Sequence, residues 1–127
     1  MLEAYAFPKL QGNLDLIFQQ DGAPPHWGLR VRGRLDAQFP NKWIGRGGPI
    51  AWPARSPDIT PCDFSLWGFV KHRVFQTPVN CLLELKQRIT DVVNQVNQNM
   101  LLNTWRELHR RLKWLKEHEG KHYDVYK

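Results

Sequence analysis

Two cysteines in 127 residues, Cys62 and Cys81, are too few and too far apart for a disulfide framework or a four-ligand structural zinc site. Reduced intracellular thiols fit them better. No apolar run approaches the ~20 residues of a membrane-spanning helix, so a membrane partner is not expected. Residues 1–10 lack a basic leading region and hold only Leu2, Tyr5, Ala6 and Leu10 around Pro8, which does not suit a secretory signal. No internal repeat or low-complexity tract is evident. Every proline lies at or before Pro78 and eight of nine glycines at or before Gly68, so the last part of the chain lacks the residues that interrupt helices.

What is present suits one domain at most. Hydrophobic residues make up 42% and aromatic residues 12%, enough for a core, and the net charge is +6. Residues 14–63 organise the rest. The apolar run Leu14-Asp-Leu-Ile-Phe-Gln-Gln20 ends at Asp21 and is bounded by the turn Gly22-Ala23-Pro24-Pro25. A short apolar run closed by turn residues predicts a buried strand of a parallel sheet. Ligands of open α/β sheets gather beyond the carboxyl ends of the strands, where Asp21 falls. A helix is predicted from near Pro25, with Trp27, Val31, Leu35 and Phe39 as an apolar stripe and Arg30, Arg32 and Arg34 mostly toward solvent.

After the glycine-rich loop of Gly45, Gly47 and Gly48, Pro49-Ile50-Ala51-Trp52 is predicted as the next strand. Pro53, Pro57 and Pro61 keep the following chain extended. Asp63 then reads as the cap or first-turn residue of a helix over 64–74. An aspartate there is stabilised by the helix dipole without any catalytic role. Asp58 reads as an Asx-type turn residue.

The run Phe18-Gln-Gln-Asp-Gly-Ala-Pro-Pro-His26 and the run Trp52-Pro-Ala-Arg-Ser-Pro-Asp-Ile-Thr-Pro-Cys-Asp-Phe-Ser-Leu-Trp67 closely resemble mariner-type transposases of the DDE superfamily. Trp43-Ile-Gly-Arg46, Gly48-Pro-Ile50 and Leu83-Glu-Leu-Lys-Gln-Arg-Ile89 are similar to the same family. The resemblance implies a ribonuclease-H-like catalytic domain. It places the second catalytic carboxylate at Asp21 and the third at Asp63, rather than Asp58. It also implies metal-dependent DNA strand cleavage and transfer, DNA (transposon ends) as partner, a nuclear location, and compatibility with a homodimer. The 41 residues between Asp21 and Asp63 exceed the family's usual spacing, and the loop at Gly45–Gly48 is expected to absorb the excess, because surface loops tolerate insertion.

The same resemblance puts the first catalytic aspartate on a strand that does not precede residue 14 here. The expected fold is therefore α/β, a truncated ribonuclease-H-like fold. It has two parallel strands with flanking helices, lacks the first three strands, and is followed by a C-terminal helical hairpin. Residues 1–78 are the expected catalytic part and 79–127 a basic helical extension. Two Mg²⁺ (or Mn²⁺) ions about 3.5–4 Å apart clamp the reacting phosphodiester in such enzymes. The family's first aspartate bridges them, so the chain alone is expected to be inactive and to bind no metal firmly. Two strands without their neighbours also leave a sheet edge open, which predicts marginal stability.

The tail predicts two helices. One covers about 81–96, capped by Asn80, with Leu82, Leu85, Ile89, Val92, Val93 and Val96 on one face. The other covers about 99–119, with Leu101, Leu102, Trp105, Leu108, Leu112 and Leu115 on one face. From Phe64 onward eleven Lys or Arg face six Asp or Glu, and Arg106, Arg110, Arg111, Lys113 and Lys116 line the polar side of the last helix. Such a stripe neutralises phosphates or is simply a solvated face. Arg106, Arg110, Arg111 and Lys113, with His26 and Arg55 beside the two carboxylates, are the candidate nucleic-acid contacts. A non-catalytic nucleic-acid-binding or interaction module is the alternative reading. His118-Glu-Gly-Lys-His122 matches the His-Glu-x-x-His pattern of zinc peptidases, but Gly120 sits where a helix should continue, and no third ligand follows.

Overall fold

Pro8 lacks an amide hydrogen and its ring crowds the carbonyl four residues back, yet the chain is helical on both sides of it. In this computed structural model a π-helical turn, Leu2–Ala6, runs into α1, Phe7–Leu10, and the wider turn accommodates the proline. The structure describes residues 2–10, 12, 15–53, 56–121 and 123. The chain divides into two compact units, Met1–Arg55 and Ser56–Lys127.

In the first unit, β1 (Phe18–Gln19) pairs in parallel with β2 (Trp43–Ile44), Phe18 opposite Trp43 and Gln19 opposite Ile44. Parallel strands need a crossover, supplied here by α2, Leu29–Gln38. The expected parallel pair is present, but its second strand lies earlier than residues 49–52. Ile50 makes only an isolated bridge to Ile44, and Pro49 brings no donor to a ladder. The aromatic–β-branched pair Trp43-Ile44 suits the pleated surface instead.

The helix also begins later than predicted. Pro24–His26 is a single 3₁₀ turn, and Gly28 is extended ahead of α2. The C-terminal half of the stripe behaves as expected, since Leu35 is fully buried and Phe39 nearly so. They form the core with Phe7 and Trp43, and Leu16, Phe18 and Val31 pack around it. Phe39 stacks on Phe18 at 5.2 Å and meets Phe7 edge-on at 5.7 Å. Trp43 is 1% exposed and donates its indole N–H to Asp36 Oδ1 at 2.9 Å. The Gly45–Gly48 loop is not slack. A Cβ on Gly48 would come within 2.7 Å of the Trp43 ring, and Gly47 has φ +72°. Glycine is needed there for both reasons.

The second unit starts at a turn where Thr60 Oγ1 donates to the Ser56 carbonyl at 2.8 Å. A π-helical turn, Cys62–Leu66, opens onto α3, Trp67–Val74. α4, Leu82–Val93, packs along α3 around buried Val70, Val74 and Val92. Its cap is Cys81, not Asn80: the Cys81 Sγ accepts from the Glu84 amide at 3.5 Å, and the Glu84 carboxylate reaches back to the Asn80 amide at 2.9 Å. Arg88 ties α4 to the end of α3 by donating to the Val74, Thr77 and Pro78 carbonyls at 2.9–3.1 Å. Cations at a helix carboxyl end are favourable.

The last helix, α5, is Gln98–Glu117, capped by Asn97 Oδ1 on the Met100 amide at 3.0 Å. Of the predicted stripe, Leu101, Leu102, Trp105 and Leu112 face out, with Leu101 51% and Trp105 59% exposed, while Leu108 and Leu115 are half-buried. Rotation of the helix is set by polar contacts: Ser65 Oγ meets Thr104 Oγ1 at 2.9 Å, and Arg111 reaches the Asp58 carbonyl at 2.7 Å. Arg111 is buried, and Met100, Thr104, Leu108, Trp114 and Leu115 are half-buried. Among the described residues, no helix is long and apolar enough to cross a membrane.

Candidate functional site

β1 stops at Gln19, and Asp21 follows at the carboxyl end of the strand pair. The Gly22-Ala23-Pro24-Pro25 turn then folds the chain back, so the Ala23 amide donates to Asp21 Oδ1 at 3.0 Å. The 3₁₀ turn closes on its own Ala23 carbonyl through the His26 amide at 2.8 Å. That turn delivers the His26 ring, whose Nδ1 bonds the same Asp21 Oδ1. Two donors on one oxygen favour the ionised form, and the carboxyl lies below the ordinary aspartate range. The His26 hydrogen bond is the largest cause, the Ala23 amide the next, and partial burial opposes both. Asp21 is exposed, and its Oδ2 enters none of the hydrogen bonds among the described residues.

Asp63 occupies the first turn of the helical segment after Pro61, within the π-helical turn. Its amide donates to the Thr60 carbonyl at 2.9 Å and its side chain is exposed. The neighbouring Cys62 thiol is pushed up by burial and by the Asp63 charge. Asp21 belongs to the first unit and Asp63 to the second.

The basic candidates separate into different environments. Arg106 is exposed and bonds only to Asn103 Oδ1 at 3.3 Å among the described residues. Arg110 is exposed and pairs with Glu107 at 2.8 Å, and exposed Lys113 lies 4.0 Å from Glu117. Arg111 does not belong to this solvent-facing stripe. It is 7% exposed, bonds Glu107 at 2.7 Å and the Asp58 carbonyl, and lies over the Phe64 ring at 4.2 Å and the Tyr123 ring at 4.8 Å. A guanidinium satisfied and sandwiched in this way is an internal strut. Burial raises the Glu107 carboxyl, but the hydrogen bonds from Arg110 and Arg111 outweigh it and bring the group below the ordinary range. Arg55 lies outside the described residues.

The zinc-peptidase pattern has no helix to stand on. α5 ends at Glu117, and Glu119 and Gly120 have φ of 55° and 77°. The His118 ring stacks on Trp114 at 4.0 Å and its Nδ1 meets the Trp114 carbonyl at 2.8 Å. His122 lies outside the described residues. Among the described residues, no group of three or more His, Cys, Asp or Glu side chains is placed to hold a metal ion. Asp21 by itself suits one bond to a hard cation, since an ionised carboxylate with an uncommitted oxygen is the ligand Mg²⁺ takes together with waters and phosphate.

Residue patterning did not reveal two features at the Gly45–Gly48 loop. Arg46 lies over the Trp27 ring at 3.9 Å, and the Arg32 side chain lies against Gly47. The only available signal was the glycine-rich loop, which lets side chains approach its backbone closely.

Over 113 residues, 87% of its length, the chain is 31% identical to the Transposable element Tc3 transposase of Caenorhabditis elegans. The aligned part is 32% of that protein, so the chain spans about a third of the relative it matches. No family model matches the chain, and no solved structure matches it.

Proposed function

Starting from a chain homologous to a transposase, we propose that it is part of a mariner-like DDE catalytic domain whose parent activity is metal-dependent DNA strand cleavage and transfer. The observation that carries this reading is the placement of Asp21. It stands at the carboxyl end of a parallel strand pair, where α/β sheets collect their ligands, and is held ionised by His26 and Ala23. In this reading the crossover between β1 and β2 belongs to a ribonuclease-H-like sheet, and Asp63 supplies a second carboxylate. Asp21 and Asp63 hold Mg²⁺ or Mn²⁺, which when bound supplies Lewis-acid stabilisation of the phosphodiester. His26 fixes the Asp21 carboxylate and Ala23 limits its rotation. The substrate is DNA at transposon ends, and the place of action is the nucleus.

Two carboxylates do not complete a two-metal clamp, so residues 1–127 alone should nick supercoiled plasmid no faster than their Asp21→Ala variant. Fused behind the remaining portion of such a transposase, the chain should confer Mg²⁺-dependent nicking that Asp21→Asn and Asp63→Asn each abolish. Nicking that survives both substitutions would overturn the assignment. A second reading, a non-catalytic nucleic-acid-binding module, is favoured by the exposed Arg106, Arg110 and Lys113 on α5. It predicts that salt-sensitive DNA binding is the only activity the fusion ever gains.

A further inference from the structure

We propose that Arg46, on the Gly45–Gly48 loop and braced by Trp27, and Arg32, which reaches that loop from α2, form a DNA-phosphate site beside Asp21. This deepens the DNA-directed reading above and rests on it. The ladder of β1 and β2 continues one step beyond the strands, since the Gln20 amide donates to the Ile44 carbonyl at 2.9 Å. A Cβ on Gly45 would lie 3.1 Å from the Gln20 carbonyl. The two chains therefore leave the sheet side by side, one toward Asp21 and the other toward Arg46.

The loop brings two arginines together. The Arg46 guanidinium stacks on the Trp27 ring at 3.9 Å, and the Arg32 guanidinium reaches within 2.8 Å of where a Gly47 Cβ would stand. Among the described residues, neither side chain has a carboxylate partner. Arg32 Nε and Trp27 Nε1 are buried and bond to nothing among them. Asp21, leaving the sheet alongside, is engaged by His26.

Stacking uses only the face of a guanidinium. It leaves the in-plane N–H fork of Arg46 exposed and oriented, which is the geometry that binds a phosphate through two parallel hydrogen bonds. Arg46 on the loop and Arg32 reaching it from α2 bring two positive charges to one turn, which an anion would neutralise. Any side chain at Gly47 would displace Arg32, so the loop's glycines serve the charge cluster as well as Trp43. A DNA phosphate matches this site in charge, shape and position.

The test is binding of a short fluorescein-labelled DNA duplex to the whole chain, measured by anisotropy across a salt series. Arg46→Gln should weaken binding about tenfold and lower the log–log salt slope by about one, with an unchanged melting curve. Arg46→Lys should keep the slope but bind more weakly than wild type, because the fork and the stack are lost. Trp27→Leu should weaken binding less than Arg46→Gln does. If wild type binds in a salt-sensitive way and Arg46→Gln matches it in affinity and slope, or only Arg106→Gln and Arg110→Gln change the slope, this site is refuted while the DNA reading stands. Wild-type protein that shows no salt-sensitive binding would remove the DNA reading, and this site with it.

Discussion

The two units solve the burial problem in different ways. Residues 1–55 enclose large side chains: Trp43 and Leu35 are essentially inaccessible, and the rings of Phe7 and Phe39 pack with them. Residues 56–127 bury smaller side chains, the cluster of Val70, Val74 and Val92 and, apart from it, Ile59, and leave several larger apolar side chains outside, among them Leu82 at 66%, Leu83 at 78% and Trp105 at 59% exposure. In the second unit polar contacts decide the packing. Arg88 and Arg111 anchor backbone carbonyls of distant segments, and Leu101, Leu102 and Leu112 of α5 are left exposed. An apolar stripe selects the inward face only when no better-placed hydrogen-bonding group competes for it.

Substitution in each core tests that contrast most strongly. Trp43→Ala should cost about 3–5 kcal/mol in the first unit, whereas Val74→Ala, with far less volume to lose, should cost about 2 kcal/mol in the second. Native-state hydrogen exchange reads the two apart. Trp43→Ala should expose the Phe18 and Gln20 amides and α2 while α4 stays protected, and Val74→Ala should do the reverse. Loss of protection in both units from either substitution would show one cooperative body instead.

Arg111→Ala probes the polar anchoring. It removes two charge-assisted hydrogen bonds but leaves Glu107 paired with Arg110, so about 2 kcal/mol is expected. Thermal melting should drop with DNA affinity nearly unchanged. Lost affinity without lost stability would return Arg111 to the DNA-contacting stripe.

The smallest effect concerns Asp21. Its folded pKa is depressed, so its contribution to stability is complete above the ordinary aspartate value and is lost as pH falls through the folded value. His26→Ala removes the largest cause of the depression. The Asp21 titration followed by NMR should move up toward the ordinary value, and the part of the acid-range stability loss due to Asp21 should shrink. An unmoved titration would leave the Ala23 amide as the controlling contact.

These contrasts mark what could be read from residues alone. Asp21 just past a strand, the proline–glycine turn after it, and Leu35 and Phe39 buried together are local patterns that the structure contains, although the expected buried strand is only the half-buried pair Phe18–Gln19, with Ile17 57% exposed. Asp63 in a first helical turn is another. The position of β2 was missed because a two-residue strand leaves no period to detect, and its partner is 25 positions away. Arg111 looked like its solvent-facing neighbours because its burial depends on Asp58, 53 residues earlier. The Cys81 cap was hidden beside Asn80, ordinarily the better capping residue.

The proposal that this chain carries a DDE carboxylate site depends on Asp21 and Asp63 converging on one metal site. Titration of the isotope-labelled protein with Mn²⁺ measures this directly, because the ion broadens amide signals only near where it binds. Signals around Asp21 and around Asp63 should broaden together as Mn²⁺ is raised, weakly because the bridging carboxylate is missing, and Asp21→Asn should diminish both. Broadening confined to one carboxylate, or unaffected at Asp63 by the loss of Asp21, would contradict that proposal.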